Sequence, residues 1–209
     1  MVETALVALT TFFATIGPVD VAAIFAAITP NNTPRERRAM AVKGALIATG
    51  IMLVIAVIGE ALLGHLGITL PAFRTAGGIL LLLMGIHMVL GKPSGGTSTT
   101  EEETHEATGK NDVSVFPLAT PLMAGPGAMG AAILLMANAG DDYEKKAVVI
   151  GAMLTMLFVT FLMVLVAGQV SRLLGVTGLN VIARIAGVLL TALAVQFIFD
   201  GVSESGLLG

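Results

Sequence analysis

The stretch Phe116-Pro117-Leu118-Ala119-Thr120-Pro121-Leu122-Met123-Ala124-Gly125-Pro126-Gly127 places three prolines and two glycines inside an apolar run over 114–139. That run is long enough to cross a bilayer, which takes about 20 largely apolar residues. Proline removes a backbone donor and clashes with the preceding turn, and glycine relaxes the chain, so the helix must be interrupted there. Backbone groups freed by the interruption cannot face lipid; they must be buried or line a cavity. The same signature stands in the first apolar run, 4–28, as Thr15-Ile16-Gly17-Pro18-Val19-Asp20. Two membrane helices broken at Gly-Pro are the feature from which the fold is read.

Composition agrees. The chain has 209 residues, 56% hydrophobic and 12% charged, with mean hydropathy +0.93, where a globular domain carries about 25% charged residues. This excludes a soluble domain and predicts an all-α, polytopic membrane protein with helices at about 4–28, 40–63, 72–91, 114–139, 147–168 and 181–200. The first run has no positive n-region and carries Gly17, Pro18 and Asp20 in its middle, so it reads as a retained helix and not a signal peptide. A net charge of −3 with 11 Lys+Arg leaves no basic face for nucleic acid. Zero cysteines exclude disulfides and thiol chemistry, and the 11 Met most simply fill gaps between helices. His65, His87 and His105 are scattered, with no Ser-His or His-Glu-x-x-His arrangement, so neither an enzyme nor a metal site is expected.

Residues 92–113 are rich in Ser, Thr, Gly and Glu and include Glu101, Glu102, Glu103 and a solvated His105. They read as a flexible acidic linker between a first three-helix unit, 1–91, and a second, 114–209. Arg35, Arg37, Arg38, Lys43, Lys92, Lys110, Arg172 and Arg184 fall on the side of the first, third and fifth connections, and only Arg74, Lys145 and Lys146 on the other. By the positive-inside bias the first group is cytoplasmic and both termini lie outside.

The halves share landmarks in order. Gly17-Pro18 returns as Gly125-Pro126, Arg37-Arg38-Ala39 as Lys145-Lys146-Ala147, Gly67-Ile68-Thr69 as Gly175-Val176-Thr177, and Arg74-Thr75-Ala76-Gly77 as Arg184-Ile185-Ala186-Gly187. Three spans per half make the second enter from the opposite side, so the expected architecture is two inverted three-helix repeats. Inverted repeats with matching broken helices mark alternating-access transporters, with the site near the bilayer midplane.

Pro18 and Pro126 suit the first position of a new half-helix, where the missing N–H costs nothing. Free N–H groups and positive dipole ends there would receive an anion, and a substrate carboxylate fits. The candidate substrate-binding residues are therefore Gly17, Pro18, Asp20, Thr120, Pro121, Gly125, Pro126 and Gly127. Asp20, the one acid well inside a span, suits a substrate ammonium, a coupling proton or Na+, or else caps the helix after Pro18; the second half has Ala128 at the equivalent place. Arg74 and Arg184 could clamp a carboxylate, but snorkelling or tying down the opposite repeat is the simpler reading. Lys43, Glu60 and His87 read as span-end residues reaching water. Gln196, Thr15, Thr120, Thr155 and Asn138 either line a polar path or bond between helices.

At these residues the chain resembles the MarC family of integral membrane proteins, also called the neutral amino acid transporter family. The resemblance rests on Gly67-Ile68-Thr69-Leu70-Pro71-Ala72-Phe73-Arg74-Thr75-Ala76-Gly77-Gly78, Phe116 to Pro121, Ala124-Gly125-Pro126-Gly127, Arg184-Ile185-Ala186-Gly187 and Val195-Gln196-Phe197-Ile198-Phe199-Asp200-Gly201. It covers the chain apart from 92–113 and implies a six-helix inner-membrane protein transporting small neutral amino acids such as glycine and alanine. Members of that family carry Asn or Asp before the first proline, where this chain has Gly17.

The expected function is thus secondary-active transport of a small zwitterion across a lipid bilayer, with no cofactor beyond a coupling proton or Na+. ATP drive is not expected, since no Walker-type loop is present. An exporter or channel-like pore for other small organic solutes or drugs on the same fold is the alternative, and a homo-oligomer is left open.

Overall fold

A computed structural model of the protein describes residues 1–91 and 112–206; the side chains at 60, 168–177, 179, 180 and 182 are not described, so the readings of the 92–111 linker, His105 and Glu60 lie outside it. Among the described residues every regular element is a helix, and there is no strand. The helices are α1 (Val2–Ile16), α2 (Pro18–Ile28), α3 (Pro34–His65), α4 (Leu70–Val89), α5 (Ser114–Met123), α6 (Pro126–Asn138), α7 (Tyr143–Leu165) and α8 (Ala167–Glu204). Among the described residues five stretches are long and apolar enough to span a membrane, Val2–Ile28 being one of them, and α5 with α6, bent by 50° at their junction, makes a sixth. The protein is a multi-pass membrane protein.

The breaks fall where Gly-Pro stands. Gly17 takes φ +61°, a left-handed conformation that ends α1 and costs glycine nothing, and Pro18 opens α2. Gly125 ends the irregular segment in an extended conformation (φ −82°, ψ 164°), and Pro126 opens α6. The two breaks are therefore built differently. α5 is not a regular half-helix: Phe116 and Thr120 are extended, both following prolines sit on cis peptides, and the coil closes through wide bonds from Leu118 N–H to Val113 O and Ala124 N–H to Ala119 O. Elsewhere ends follow ordinary capping. Thr33 and Glu36 form a reciprocal capping box on α3, and the Asp142 carboxylate accepts from Glu144 and Lys145 N–H on α7. One connection differs from the expectation. The chain between the fifth and sixth spans, read as 169–180, is helical, α8 starting at Ala167 right after Val166.

The two broken spans are central. In its most apolar window the first span is 67% buried, against 28–39% for the other four unbent spans, and Leu118, Ala119, Leu122, Met123, Ala128, Ala131 and Leu134 of the bent pair are inaccessible or nearly so. They lie antiparallel against each other, α1 on α6 and α2 on α5. Around them α1 and α2 pack on α7, α5 and α6 on α3, α2 on α8 and α6 on α4. The outer faces of the surrounding helices, with Leu46, Val57, Leu80, Phe158 and Phe199, are exposed and suit lipid.

The tightest pairing is α4 with α8. Because lipid is as apolar as leucine, such pairs depend on close van der Waals contact through small residues. A Cβ on Gly78 would lie 2.8 Å from Ala194 O, one on Gly85 2.9 Å from Gly187 O, and one on Gly201 2.8 Å from Pro71 O. Advancing along α4 from Pro71 to Met88 retreats along α8 from Gly201 to Gly187, so the pair is antiparallel.

Candidate functional site

At each break the first turn of the new half-helix keeps free donors. Val21 N–H bonds to Gly17 O and Met129 N–H to Gly125 O, opening the regular ladders of α2 and α6. Val19, Asp20, Gly127 and Ala128 N–H have no acceptor among the described residues, and neither helix has a side-chain cap. Asp20 thus does not cap α2 by hydrogen bonding. Its Oδ2 lies where a Cβ on Gly17 would be 3.2 Å away, and its half-buried carboxylate has no partner among the described residues. Asp20, Gly17 and Pro18 border a small cleft of about 10 Å³ closed by Phe13, Met88 and Ala186, enough for about one water or ion.

At the second break Gly125 is buried, Pro126 is exposed and Gly127, Thr120 and Pro121 are half-buried. Pro126 and Gly127 open onto a groove of about 210 Å³ between α4 and α6, walled by Leu80, Leu81, Met84, Gly130 and others, with His87 as its polar member. His87, read as a residue reaching water, stands instead beside the second break. The spacing of prolines found the break; a single histidine on α4 carried no signal tying it to 126–127.

Arg74 does not point to a vacant site. Its guanidinium is buried, donating through Nε to Asn138 Oδ1 at 2.7 Å and pairing with Glu204 Oε1 at 2.5 Å. It ties the start of α4 to the ends of α6 and α8. Arg184 is exposed, and a Cβ on Gly91 would lie 3.4 Å from its terminal nitrogen. Gln196 is also exposed and donates to Asp200 Oδ1 of its own helix at 2.7 Å; it lines no internal path. Thr15 and Thr155 return their hydroxyls to the carbonyls four residues back, Thr11 and Gly151. Asn138 is Arg74's acceptor. The breaks thus keep groups without a partner among the described residues, the Asp20 carboxylate and the Val19, Asp20, Gly127 and Ala128 N–H, whereas Arg74 and Gln196 are already partnered and Arg184 is exposed.

Outside the spans, Asp112 pairs with Lys43 Nζ at 2.7 Å and accepts from Ser114 N–H. That hydrogen bond from Lys43, and those from Ser114, lower its pKa to about 2. Among the described residues no group of three His, Asp or Glu could hold a metal.

The comparisons with known proteins follow the same whole-chain pattern. The chain matches the family described as MarC family integral membrane protein over residues 2–205. It is 36% identical to a UPF0056 membrane protein of Methanocaldococcus jannaschii over 94% of this chain and 95% of that one. With a UPF0056 membrane protein of Archaeoglobus fulgidus it shares 35% identity, covering 93% and 90%, and with one of Escherichia coli 32%, covering 91% and 87%. No solved structure matches it. The chain belongs to the MarC family of integral membrane proteins.

Proposed function

We propose that the protein is a secondary-active transporter of small neutral amino acids, of the glycine and alanine kind, working by alternating access and coupled to protons or Na+. One observation carries this reading. The two central spans are both interrupted at Gly-Pro, they pack against each other, and each presents two N–H groups without an acceptor among the described residues. Half-helix N-termini of that kind receive the carboxylate of a zwitterion, and unwound carbonyls or an intramembrane acid receive its ammonium or the coupling cation. Here the carbonyls of Thr15 and Ile16 accept no backbone bond among the described residues, and Asp20 supplies the acid.

The pairing pattern supports the inverted repeat. Exchanging α1 with α5, α2 with α6, α3 with α7 and α4 with α8 turns α1 on α7 into α5 on α3, and α2 on α8 into α6 on α4, while α4 on α8 maps to itself; all of these pairings occur. Rocking one three-helix unit on the other, across the α4–α8 seam, would expose the centre alternately. The chain would sit in the inner membrane with both termini outside, its basic residues being mostly on the opposite side.

The test is uptake of labelled glycine and alanine into proteoliposomes under an imposed proton gradient, a Na+ gradient and none. Gradient-driven accumulation that Asp20→Asn uncouples and Pro126→Ala impairs is expected. A correctly inserted protein that accumulates neither amino acid under any gradient overturns the reading.

A further inference from the structure

We infer that Arg74, Asn138 and Glu204 form a gate between the two three-helix units, closed here on the side of the chain termini, so that the structure is the state whose centre opens toward the opposite side. The inference rests on the transport reading above and names the contact that must break for the units to rock.

Among the described residues Arg74 is the one buried charged side chain. It belongs to the first unit, through α4, and both of its partners belong to the second. Its Nε donates to Asn138 Oδ1 on α6 at 2.7 Å, and its guanidinium pairs with Glu204 on α8. Each partner is the last residue of its helix, where the negative dipole end favours a guanidinium. Other polar ties at the span ends are of a different kind. Arg37 Nε donating to Thr29 O and Lys145 pairing with Asp142 stay within one unit. Lys43 with Asp112 is half-exposed at both members, and exposed pairs hold weakly. Rocking the units therefore has one buried ion pair to break.

The α4–α6 interface is shut at this end alone. One turn beyond Arg74 a Cβ on Gly77 would lie 3.5 Å from Leu134 Cδ2, whereas at the break end the helices part and leave Pro126 exposed and Gly127 half-buried. Exchanging the two units carries this interface onto α8 with α2, and there the arrangement is reversed. Arg184, in the place of Arg74, is exposed with no partner among the described residues. Pro18 and Val19, in the places of Pro126 and Gly127, are buried, and the first break keeps only its cleft of about 10 Å³. Two like units held in two unlike conformations are what alternating access requires, one interface clasped at its end while the other is free, with the roles traded as the units rock. Opening toward the termini then means releasing Arg74.

The chain has no cysteine, so a single introduced thiol reports water access without background. Ala131→Cys places it on α6, about two turns inside Asn138, at a position with no exposure. A membrane-impermeant maleimide is applied from the side of the termini, identified by protease protection of a C-terminal tag. Labelling should be slow in Ala131→Cys alone. Adding Asn138→Ala should accelerate it at least about tenfold, the factor a hydrogen bond to a charged group is worth, and adding Glu204→Gln, which keeps an acceptor, should accelerate it less. Ala152→Cys, buried in α7, should stay slow in both variants. Fast labelling of Ala131→Cys before the gate is altered, no acceleration in either variant, or equal acceleration at Ala152→Cys, which would mean a loosened fold, overturns the inference. Amino acid uptake by the unaltered protein with no change in labelling sinks the gate alone; accelerated labelling at Ala131→Cys, with no uptake of any amino acid by the unaltered protein, sinks the transport reading alone.

Discussion

Gly85→Ala and Gly130→Ala make the same chemical change in two helices of one protein and should move its stability in opposite directions. A helix interior gains roughly 0.5–1 kcal/mol when glycine becomes alanine, because alanine loses less backbone entropy. At Gly130 nothing lies within 4 Å of the new methyl, so that gain stands unopposed. At Gly85 the methyl would collide with Thr191 Oγ1 and lie 2.9 Å from both Thr191 N and Gly187 O. Two of these atoms are backbone, and the third is held by its own bond to Gly187 O at 2.7 Å, so α8 itself must move away. Overpacking of this kind costs about 1–3 kcal/mol; the entropy gain is common to both variants, so the two should differ by about 1–3 kcal/mol. At roughly 2–4 °C per kcal/mol for a chain of this size, their melts should be at least about 2 °C apart. Circular dichroism in detergent is the assay, since the chain has no Trp and one Tyr to report by fluorescence. Gly187→Ala meets Gly85 O at 2.9 Å across the same seam, so combining it with Gly85→Ala should cost less than the two separately, one displacement serving both. Gly85→Ala melting at or above Gly130→Ala would show that α4 and α8 are not in backbone contact, and would refute the reasoning.

Arg74 offers a test of order. Asn138→Ala or Glu204→Ala leaves a buried guanidinium short of a partner and should cost about 1.5–3 kcal/mol each, whereas Arg74→Met removes the charge itself and should fall within about 1 kcal/mol of wild type; thermal melts in which Arg74→Met is the worst of the three would reject this account. Gly17→Ala should lose about 1–2 kcal/mol from its left-handed backbone, and Gly17→Asn should lose less because Asn tolerates that conformation; equal melts for the two would remove the strain from the explanation. Asp112 has a folded pKa near 2, below the ordinary 3.8, so the stability it contributes is complete above about pH 4 and is lost as the pH falls through 2. The melting difference between wild type and Asp112→Asn should accordingly shrink only below pH 4, and a difference that persists unchanged at pH 2 would contradict the Lys43 pairing.

The spans and breaks were legible because their causes are local. Twenty apolar residues, a Gly-Pro pair and a connecting Pro30-Asn31-Asn32-Thr33-Pro34 each act through their own backbone, and the structure places helix ends close to where the pattern puts them, except that α3 begins earlier, at Pro34, and α8 much earlier, at Ala167. What the pattern missed depends on neighbours distant in the chain. By sequence Arg74 suits a substrate carboxylate, snorkelling to the interface or a tie to the opposite repeat, and only the approach of Asn138 and Glu204 decides among them. Gln196 suits a polar path or a bond between helices because position along a helix says nothing of which way it faces; it faces outward and bonds Asp200 of its own helix. The fifth connection failed for the converse reason: Gly168 to Asn180 is polar enough to read as a loop, yet the helix runs on through it.

The two breaks look equivalent as Gly-Pro pairs but differ chemically, and that difference bears on how a coupled transporter could use them. The first has an acid three residues after its glycine, the free carbonyls of Thr15 and Ile16 close by in the chain, and room for about one ion or water. The second has Ala128 in place of the acid, free N–H groups at Gly127 and Ala128, and a long apolar groove with a histidine at its end. Negative charge and carbonyl oxygens suit a small cation, whereas N–H groups suit a carboxylate. A single zwitterion spanning both breaks would need its two charges matched by one site on each half, and each half would then hold its own ligand end as the units rock. Cation and carboxylate occupying separate breaks would instead let the coupling ion bind without substrate. Asp20→Asn separates the two cases: under the shared-site reading it weakens substrate binding even with no gradient, and under the divided reading it abolishes accumulation while leaving gradient-free exchange intact.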